Sequence, residues 1–331
     1  MTGKDYKGAK KVLVTGAAGF IGKNLCEYLL ASGFIVRALV KEGGSSVVNF
    51  NRNMEQYSGD LLDREFLKRA CESVDFVVHL AGLVHVSQPT NEQLCRTNVY
   101  GTELLLAAAI EGKVKRFVFM SSSLAAVSNS KTLSTTPYGR AKLAAEESIM
   151  SQHNDGNIEC VVLRPVNVYG WGMRGNIATL VSLVSKRLAP PLPRLRTLIS
   201  LIGVEDVCEA TRLAILSEDA CGKIYTLTDG GQYMINDIEE AIYRQFGRRA
   251  PTWRTPRLLV YILCMGMEGI GKSLNLFGFR ITLLSGLGIR TYHNLVEDNL
   301  FGNDKIREEL GFKPKTTFYC SLPKIVEGLN C

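Results

Sequence analysis

The apolar run Val12-Leu13-Val14 ends in Gly16-Ala17-Ala18-Gly19-Phe20-Ile21-Gly22 and passes at once into Asn24-Leu25-Cys26-Glu27-Tyr28-Leu29-Leu30, whose apolar spacing is helical. A strand, a glycine turn and a helix in that order constrain the fold more than any other feature of the chain. Glycines permit a tight turn and close backbone approach, and the helix N-terminus then offers free N–H groups to a pyrophosphate. Further apolar runs at about residues 34–40, 75–80, 116–120 and 159–163 alternate with helical patterns. That alternation predicts an α/β chain, a Rossmann-like doubly wound parallel sheet with helices on both faces. After Gly170 the pattern loosens, and Ala189-Pro190-Pro191-Leu192-Pro193 forces a loop.

A second constellation lies about one nucleotide-binding half-domain further on. Phe117-Val118-Phe119-Met120 reads as a buried strand that delivers Ser121-Ser122-Ser123 to the carboxyl edge of the sheet, and Tyr138 and Lys142 follow. Residues four apart share a helix face, so the ammonium of Lys142 favours ionisation of the Tyr138 phenol. Tyrosine four before lysine is common on solvated helices. Its meaning comes from its order after the glycine turn and the serine triplet, which together suit hydride chemistry at a carbonyl.

At these residues the sequence resembles the extended short-chain dehydrogenase/reductase superfamily, in its branch of sugar-nucleotide epimerases, dehydratases and reductases. The resemblance runs from Val12 to about Pro314. It includes Gly59-Asp60-Leu61-Leu62-Asp63, His79-Leu80-Ala81-Gly82, Thr97-Asn98-Val99-Tyr100-Gly101-Thr102 and Leu163-Arg164-Pro165-Val166-Asn167-Val168-Tyr169-Gly170. Within the superfamily, the segment His79 to His85, the Asn98 segment and Gly311-Phe312-Lys313-Pro314 look most like bacterial reductases of UDP-linked 4-keto-6-deoxy amino sugars used in surface polysaccharide assembly.

The resemblance implies a Rossmann-like domain over residues 9–170 and a smaller C-terminal substrate lobe over 171–331, with segments at about 198–213 and 224–230 returning to the main domain. It also implies a homodimer. Tyr138 is the implied acid/base, Lys142 lowers its pKa and contacts the nicotinamide ribose, and Ser123 hydrogen-bonds the substrate oxygen. Around the cofactor it places Gly16, Ala18, Gly19, Phe20, Ile21, Gly22, Asp60, Leu61, Leu80, Ala81, Gly82, Asn98, Tyr138, Lys142 and Pro165. Around the substrate it places His85, Ser122, Ser123, Asn167, Asn176 and Arg196. Two departures bear on the substrate: Ile199 occupies the position of a diphosphate-clamping arginine, for which Arg194 or Arg196 would substitute, and Trp171 replaces a proline. The 4,6-dehydratases carry an acid pair after the catalytic hydroxyl. Here that stretch is Leu124-Ala125-Ala126, which leaves ketone reduction, alcohol oxidation or 4-epimerisation.

Cofactor choice is read at the end of the second strand, Val36-Arg37-Ala38-Leu39-Val40-Lys41. An NAD-selective site places a carboxylate about 20 residues past the glycine motif. That position is close to Val40, and Arg37 and Lys41 are at hand to meet a 2′-phosphate, so the expectation is NADP(H) over NAD(H). Asp63 reads as the cap of the next helix.

Composition narrows the remaining classes. With 46% apolar and 21% charged residues the chain is not a disordered one. Its net charge of +7 suits an anionic ligand or plain solubility, and no basic run interleaved with aromatics points to nucleic acid. Nine dispersed cysteines without a CxxC pair, and four histidines in no ligand-spaced cluster, read as core residues in a reducing cytosol without a metal site. The polar segment through Lys11 has no apolar signal core, so the expected location is cytoplasmic. The run Leu258 to Met267 is too short for a membrane span and reads as a buried or substrate-covering helix, with peripheral membrane association as the lesser alternative. It keeps open a lipid-like or steroid-like ketone as substrate. A non-catalytic dinucleotide sensor on the same fold is disfavoured by the retained Tyr138, Lys142 and serines.

Overall fold

The computed structural model describes residues 8–44, 53–83, 90–127, 136–276 and 288–328. Along its first half, β1 (Lys11–Thr15), α1 (Phe20–Ala31), β2 (Ile35–Lys41), β3 (Met54–Gly59), α2 (Arg64–Cys71) and β4 (Phe76–His79) are followed by α3 (Asn91–Leu94), α4 (Gly101–Glu111), β5 (Arg116–Met120), α5 (Ser123–Val127), α6 (Pro137–Asn154) and β6 (Glu159–Pro165). The second half holds β7 (Asn167–Tyr169), α7 (Asn176–Ser185), β8 (Leu198–Ile199), β9 (Leu201–Gly203), α8 (Val204–Leu216), β10 (Lys223–Leu227) and β11 (Tyr233–Met234), then α9 (Ile235–Gln245), α10 (Arg257–Leu276), α11 (Ile289–Val296), α12 (Asp304–Leu310) and α13 (Phe318–Glu327).

Seven of the strands form one all-parallel sheet in the order β10-β6-β5-β4-β1-β2-β3. The chain winds outward from β1 in one direction and from β4 in the other, so the switch point, with its crevice, lies above the carboxyl ends of β1 and β4. Alternation along each strand divides the core. Val12 and Val14 face a cluster with Leu25, Leu29 and Val207 of α1 and α8, whereas Leu13 faces a cluster with Leu67, Leu105 and Ile149 of α2, α4 and α6. A third cluster, including Val181, Leu201, Ile238 and Phe318, forms the lobe built by α7, α9 and α13.

Two buried arginines fasten helices to strands. Arg37 of β2 donates to the carbonyls of Ala70 and Glu72, both at 2.8 Å, at the end of α2. Arg116 of β5 donates to Ala214 O and Ile215 O, 2.9 and 3.1 Å away, at the end of α8. Each guanidinium satisfies helix-end carbonyls that have no partner within their own helix.

Candidate active site

The glycine turn fills the crevice between β1 and β4. Gly16 adopts a left-handed φ of 68°, and a Cβ there would stand 2.8 Å from the Ala81 amide nitrogen, so the turn abuts the segment leaving β4. A Cβ on Gly22 would lie 2.2 Å from Gly16 O, which is why α1 can start directly on the turn. Gly19 is the N-cap of α1 and has no side chain to cap the first amides, and no acid stands in the first helical turn. Ala18, Phe20 and Ile21 are half-buried around these free amides. A cradle that side chains would fill, facing an acid-free helix N-terminus, fits a dinucleotide pyrophosphate. Lys41 and Asp60 stand exposed where β2 and β3 reach the same edge, and Leu80, Ala81 and Gly82 lie half-buried beside the turn.

The catalytic candidates converge on the neighbouring edge, at β5. Thr136 caps α6 by accepting from the Gly139 amide at 2.8 Å, and Pro137 occupies the first turn. Gly139 brings α6 against α5 so closely that a Cβ would stand 2.5 Å from the Leu124 carbonyl oxygen. This contact holds half-buried Tyr138 next to the segment that starts at Ser122 and buried Ser123. One helical turn on, the Lys142 ammonium donates to Met120 O at 2.8 Å and lies 4.4 Å from the centre of the Phe119 ring. It is also 3.8 Å from where a Cβ on Gly82 would be, so Lys142 reaches the cofactor-facing loop after β4.

Burial sets the proton inventory here. It pushes the Tyr138 phenol up, keeping it a neutral donor near pH 7. It also brings Lys142 down to about 8, against the opposing influence of the Glu146 carboxylate, so the ammonium is still charged at neutrality. Glu146, a further turn along α6, is buried, accepts from Ser121 Oγ and is clamped by the Arg164 guanidinium. Tyr138, Lys142 and Glu146 therefore form one stripe at spacing i, i+4, i+8. Glu146 belongs to none of the sequence motifs; its spacing of four from Lys142 is the signal that could have found it.

Residues 12–227 match the NAD-dependent epimerase/dehydratase family. The chain belongs to that family. UDP-glucose 4-epimerase of Vibrio cholerae is 30% identical to it over 293 residues, 81% of this chain and 85% of that protein. A 4-hydroxy-2-methyl-3-oxo-4-farnesyl-3,4-dihydroquinoline-1-oxide ketoreductase of Stigmatella aurantiaca is 27% identical over 317 residues, 93% of each. In fold, the chain is similar to the UDP-glucose 4-epimerase of Thermotoga maritima solved with UDP-glucose, with a TM-score of 0.75, 23% identity and coverage of 97% and 98% of the two chains. The protein is thus an enzyme, an NAD-dependent epimerase/dehydratase-type oxidoreductase of the extended short-chain class.

Set against the family pattern, several residues take unexpected positions. Arg37 is the main correction: it is not at the cofactor edge but buried lower on β2, where it pairs with Glu55 at 2.8 Å besides holding the end of α2. A guanidinium buried there and turned to Glu55 and the end of α2 is not placed to meet a 2′-phosphate, which leaves Lys41 as the basic candidate of the two. Asn98 lies in a π-helical stretch over Cys95–Tyr100 and holds Leu83 at both ends of its amide, accepting from Leu83 N at 2.7 Å and donating to Leu83 O at 3.1 Å. It shapes the loop beside the cofactor cradle. The Leu61 side chain is buried against Gly101. Asp63 caps α2 by accepting from Phe66 N.

Substrate candidates spread across the edge and the lobe. Pro165 is buried at the end of β6, and Asn167 follows it, exposed, on β7. Asn176 is exposed at the start of α7, Arg196 is exposed just before β8, and Ser122 Oγ accepts from Leu124 N at 3.2 Å. His85 lies outside the described residues. Ile199 pairs with Tyr233 and is buried in the lobe core, so it offers nothing to a diphosphate. Among the described residues, no group of three or more His, Cys, Asp or Glu is placed to hold a metal ion, and no helix is long and apolar enough to cross a membrane. Of the buried or substrate-covering helix expected over 258–267, the buried form is corrected: Leu258, Leu259, Ile262, Leu263 and Met265 are exposed.

Proposed function

We propose that the enzyme reduces the C4 ketone of a UDP-linked 4-keto-6-deoxy amino sugar, with NADP(H) as the preferred dinucleotide, in surface polysaccharide biosynthesis. The carrying observation is the Tyr138 and Lys142 pair, packed by Gly139 against a serine-bearing edge whose following residues, Leu124-Ala125-Ala126, hold no acid for dehydration. A nicotinamide dinucleotide held at the glycine turn would supply the hydride. Ser123 orients the ketone oxygen, Tyr138 gives it a proton, and Lys142 holds a positive charge beside the phenolate so formed. Asn167, Asn176 and Arg196 are the candidates for holding the nucleotide sugar, with the Arg196 guanidinium as the diphosphate clamp that Ile199 cannot supply. Lys41, exposed at the end of β2, supports the NADP(H) preference.

Tyr138→Phe tests the assignment. The variant should keep dinucleotide affinity within about twofold and lose at least ~100-fold in turnover. Turnover retained within tenfold would remove Tyr138 from the mechanism. A second reading, reduction of a lipid-like ketone, is favoured by the exposed apolar side chains of α10 and by apolar Ile199 in the clamp position. Turnover of such a ketone, with none of the UDP-sugar, would select it.

A further inference from the structure

The positive charge of this chain is concentrated on one face of the lobe. Residues 184–196 and 248–257 contain eight arginines and lysines and not one carboxylate. The whole chain carries 39 basic and 32 acidic residues, so everything outside these two segments is close to neutral, at 31 against 32. The fold stitches the two segments together. Arg248 donates to Val184 O at 2.7 Å, and Arg257 donates to Arg194 O at 2.9 Å. Arg254 is neutralised by buried Glu239, whereas Lys186, Arg187, Arg249 and Arg257 are exposed.

The same face is apolar where α10 emerges from the basic cluster. The helix turns Cys264 inward and sets Tyr261 edge-to-face with Tyr292 of α11, with ring centres 5.2 Å apart. Leu258, Leu259, Ile262, Leu263 and Met265 point outward, Leu258 at 69% exposure. Leu188 at 67% and Trp253 at 63% extend the apolar surface into the arginine cluster. Soluble surfaces rarely leave so many adjacent large apolar side chains uncovered. Two copies of this chain meeting on the face would bring both cationic clusters together, which argues against self-association. A nucleic acid would satisfy the cations and leave the leucines in water.

We propose that this face docks on the surface of a bilayer containing anionic lipid. In that arrangement α10 lies in the interface plane, Trp253 and Leu188 enter the headgroup boundary, and the exposed arginines and lysines meet lipid phosphates. The consequence is an enzyme held with its substrate lobe against the membrane, whichever ketone it reduces.

Co-sedimentation of the full chain with vesicles tests this, comparing phosphatidylcholine alone with an equal mixture of phosphatidylcholine and phosphatidylglycerol. The protein should bind the anionic vesicles at least about tenfold more strongly, and added salt should weaken binding. Leu258→Glu/Ile262→Glu and Lys186→Glu/Arg249→Glu change only exposed side chains. Each double variant should lose about tenfold or more in vesicle binding while keeping its circular dichroism and dinucleotide affinity. Equal binding to both vesicle types, or anionic binding untouched by Leu258→Glu/Ile262→Glu, would overturn the proposal. So would a vesicle-free oligomer that this double variant dissociates, because the face would then be a contact between copies.

Discussion

Replacing Arg37 with methionine separates a structural arginine from a cofactor-selecting one. The substitution keeps an aliphatic stem on β2 but removes the guanidinium that donates to Ala70 O and Glu72 O at 2.8 Å, to Arg69 O at 3.4 Å, and to Glu55 at 2.8 Å. It also removes the contact with the Tyr57 ring, 4.5 Å from the guanidinium carbon. Arg37 is only 5% exposed, so its bonds to the helix end are desolvated and their loss leaves carbonyls without a donor. Glu55 is partly open to water, and its ion pair counts for less. At ~1–3 kcal/mol for each carbonyl left unpaired, the loss is about 3–5 kcal/mol, a fall of roughly 10 °C in melting temperature at ~2–4 °C per kcal/mol. The assay is thermal melting followed by circular dichroism, with NADPH and NADH titrations on the folded variant. The melting temperature should drop while the ratio of the two affinities stays within about twofold. In contrast, Lys41→Ala should leave melting unchanged and weaken NADPH about tenfold relative to NADH, the loss of one exposed phosphate contact. An Arg37→Met protein that melts normally but loses its discrimination would refute the structural assignment.

Two further outcomes follow from buried charges. Glu146 opposes the burial that lowers Lys142, so Glu146→Gln should move the alkaline fall in kcat/KM, which begins as Lys142 loses its proton near 8, to lower pH; an unmoved profile would detach Glu146 from Lys142. His79 is buried between Thr15 and Thr102, and burial, assisted by Lys142, holds it at about 3. Its folded value lies below the unfolded one near ~6.5, so the unfolded chain takes up a proton that the fold refuses, and stability falls by roughly 1.4 kcal/mol per unit as pH drops below that point. Urea denaturation of His79→Gln should show nearly that much less slope between pH ~6 and pH ~4 than the parent, and equal slopes would contradict the neutral buried imidazole.

Much of the sheet was legible because strands buried on both faces are written as apolar runs, as in Val12-Leu13-Val14 and Phe117-Val118-Phe119. β3 escaped because Met54-Glu55-Gln56-Tyr57-Ser58-Gly59 is an edge strand with few apolar residues. Arg37 was misplaced for a geometric reason. Four residues before Lys41 is about 13 Å back along a strand, away from any ligand at its carboxyl end. The end of α2, which holds it, is remote in sequence. Gly139 stands between Tyr138 and Lys142 in the sequence, but its contact with Leu124 O belongs to the packing of two helices and is not legible there. An all-apolar stretch such as Leu258 to Met267 has no polar face to reveal which side meets solvent, so its exposure could only come from the fold.

The central claim is hydride delivery to C4 with a proton from Tyr138, and deuterium transfer tests it most directly. UDP-4-keto-6-deoxy-N-acetylhexosamine is incubated with NADPH deuterated at the nicotinamide C4, and the product is read by NMR. Reduction predicts one deuterium at C4 of a single 4-hydroxy epimer per NADPH consumed, and no such product from Tyr138→Phe. A C4 hydroxyl formed without deuterium, a mixture of C4 epimers without net cofactor oxidation, or no product at all would contradict it.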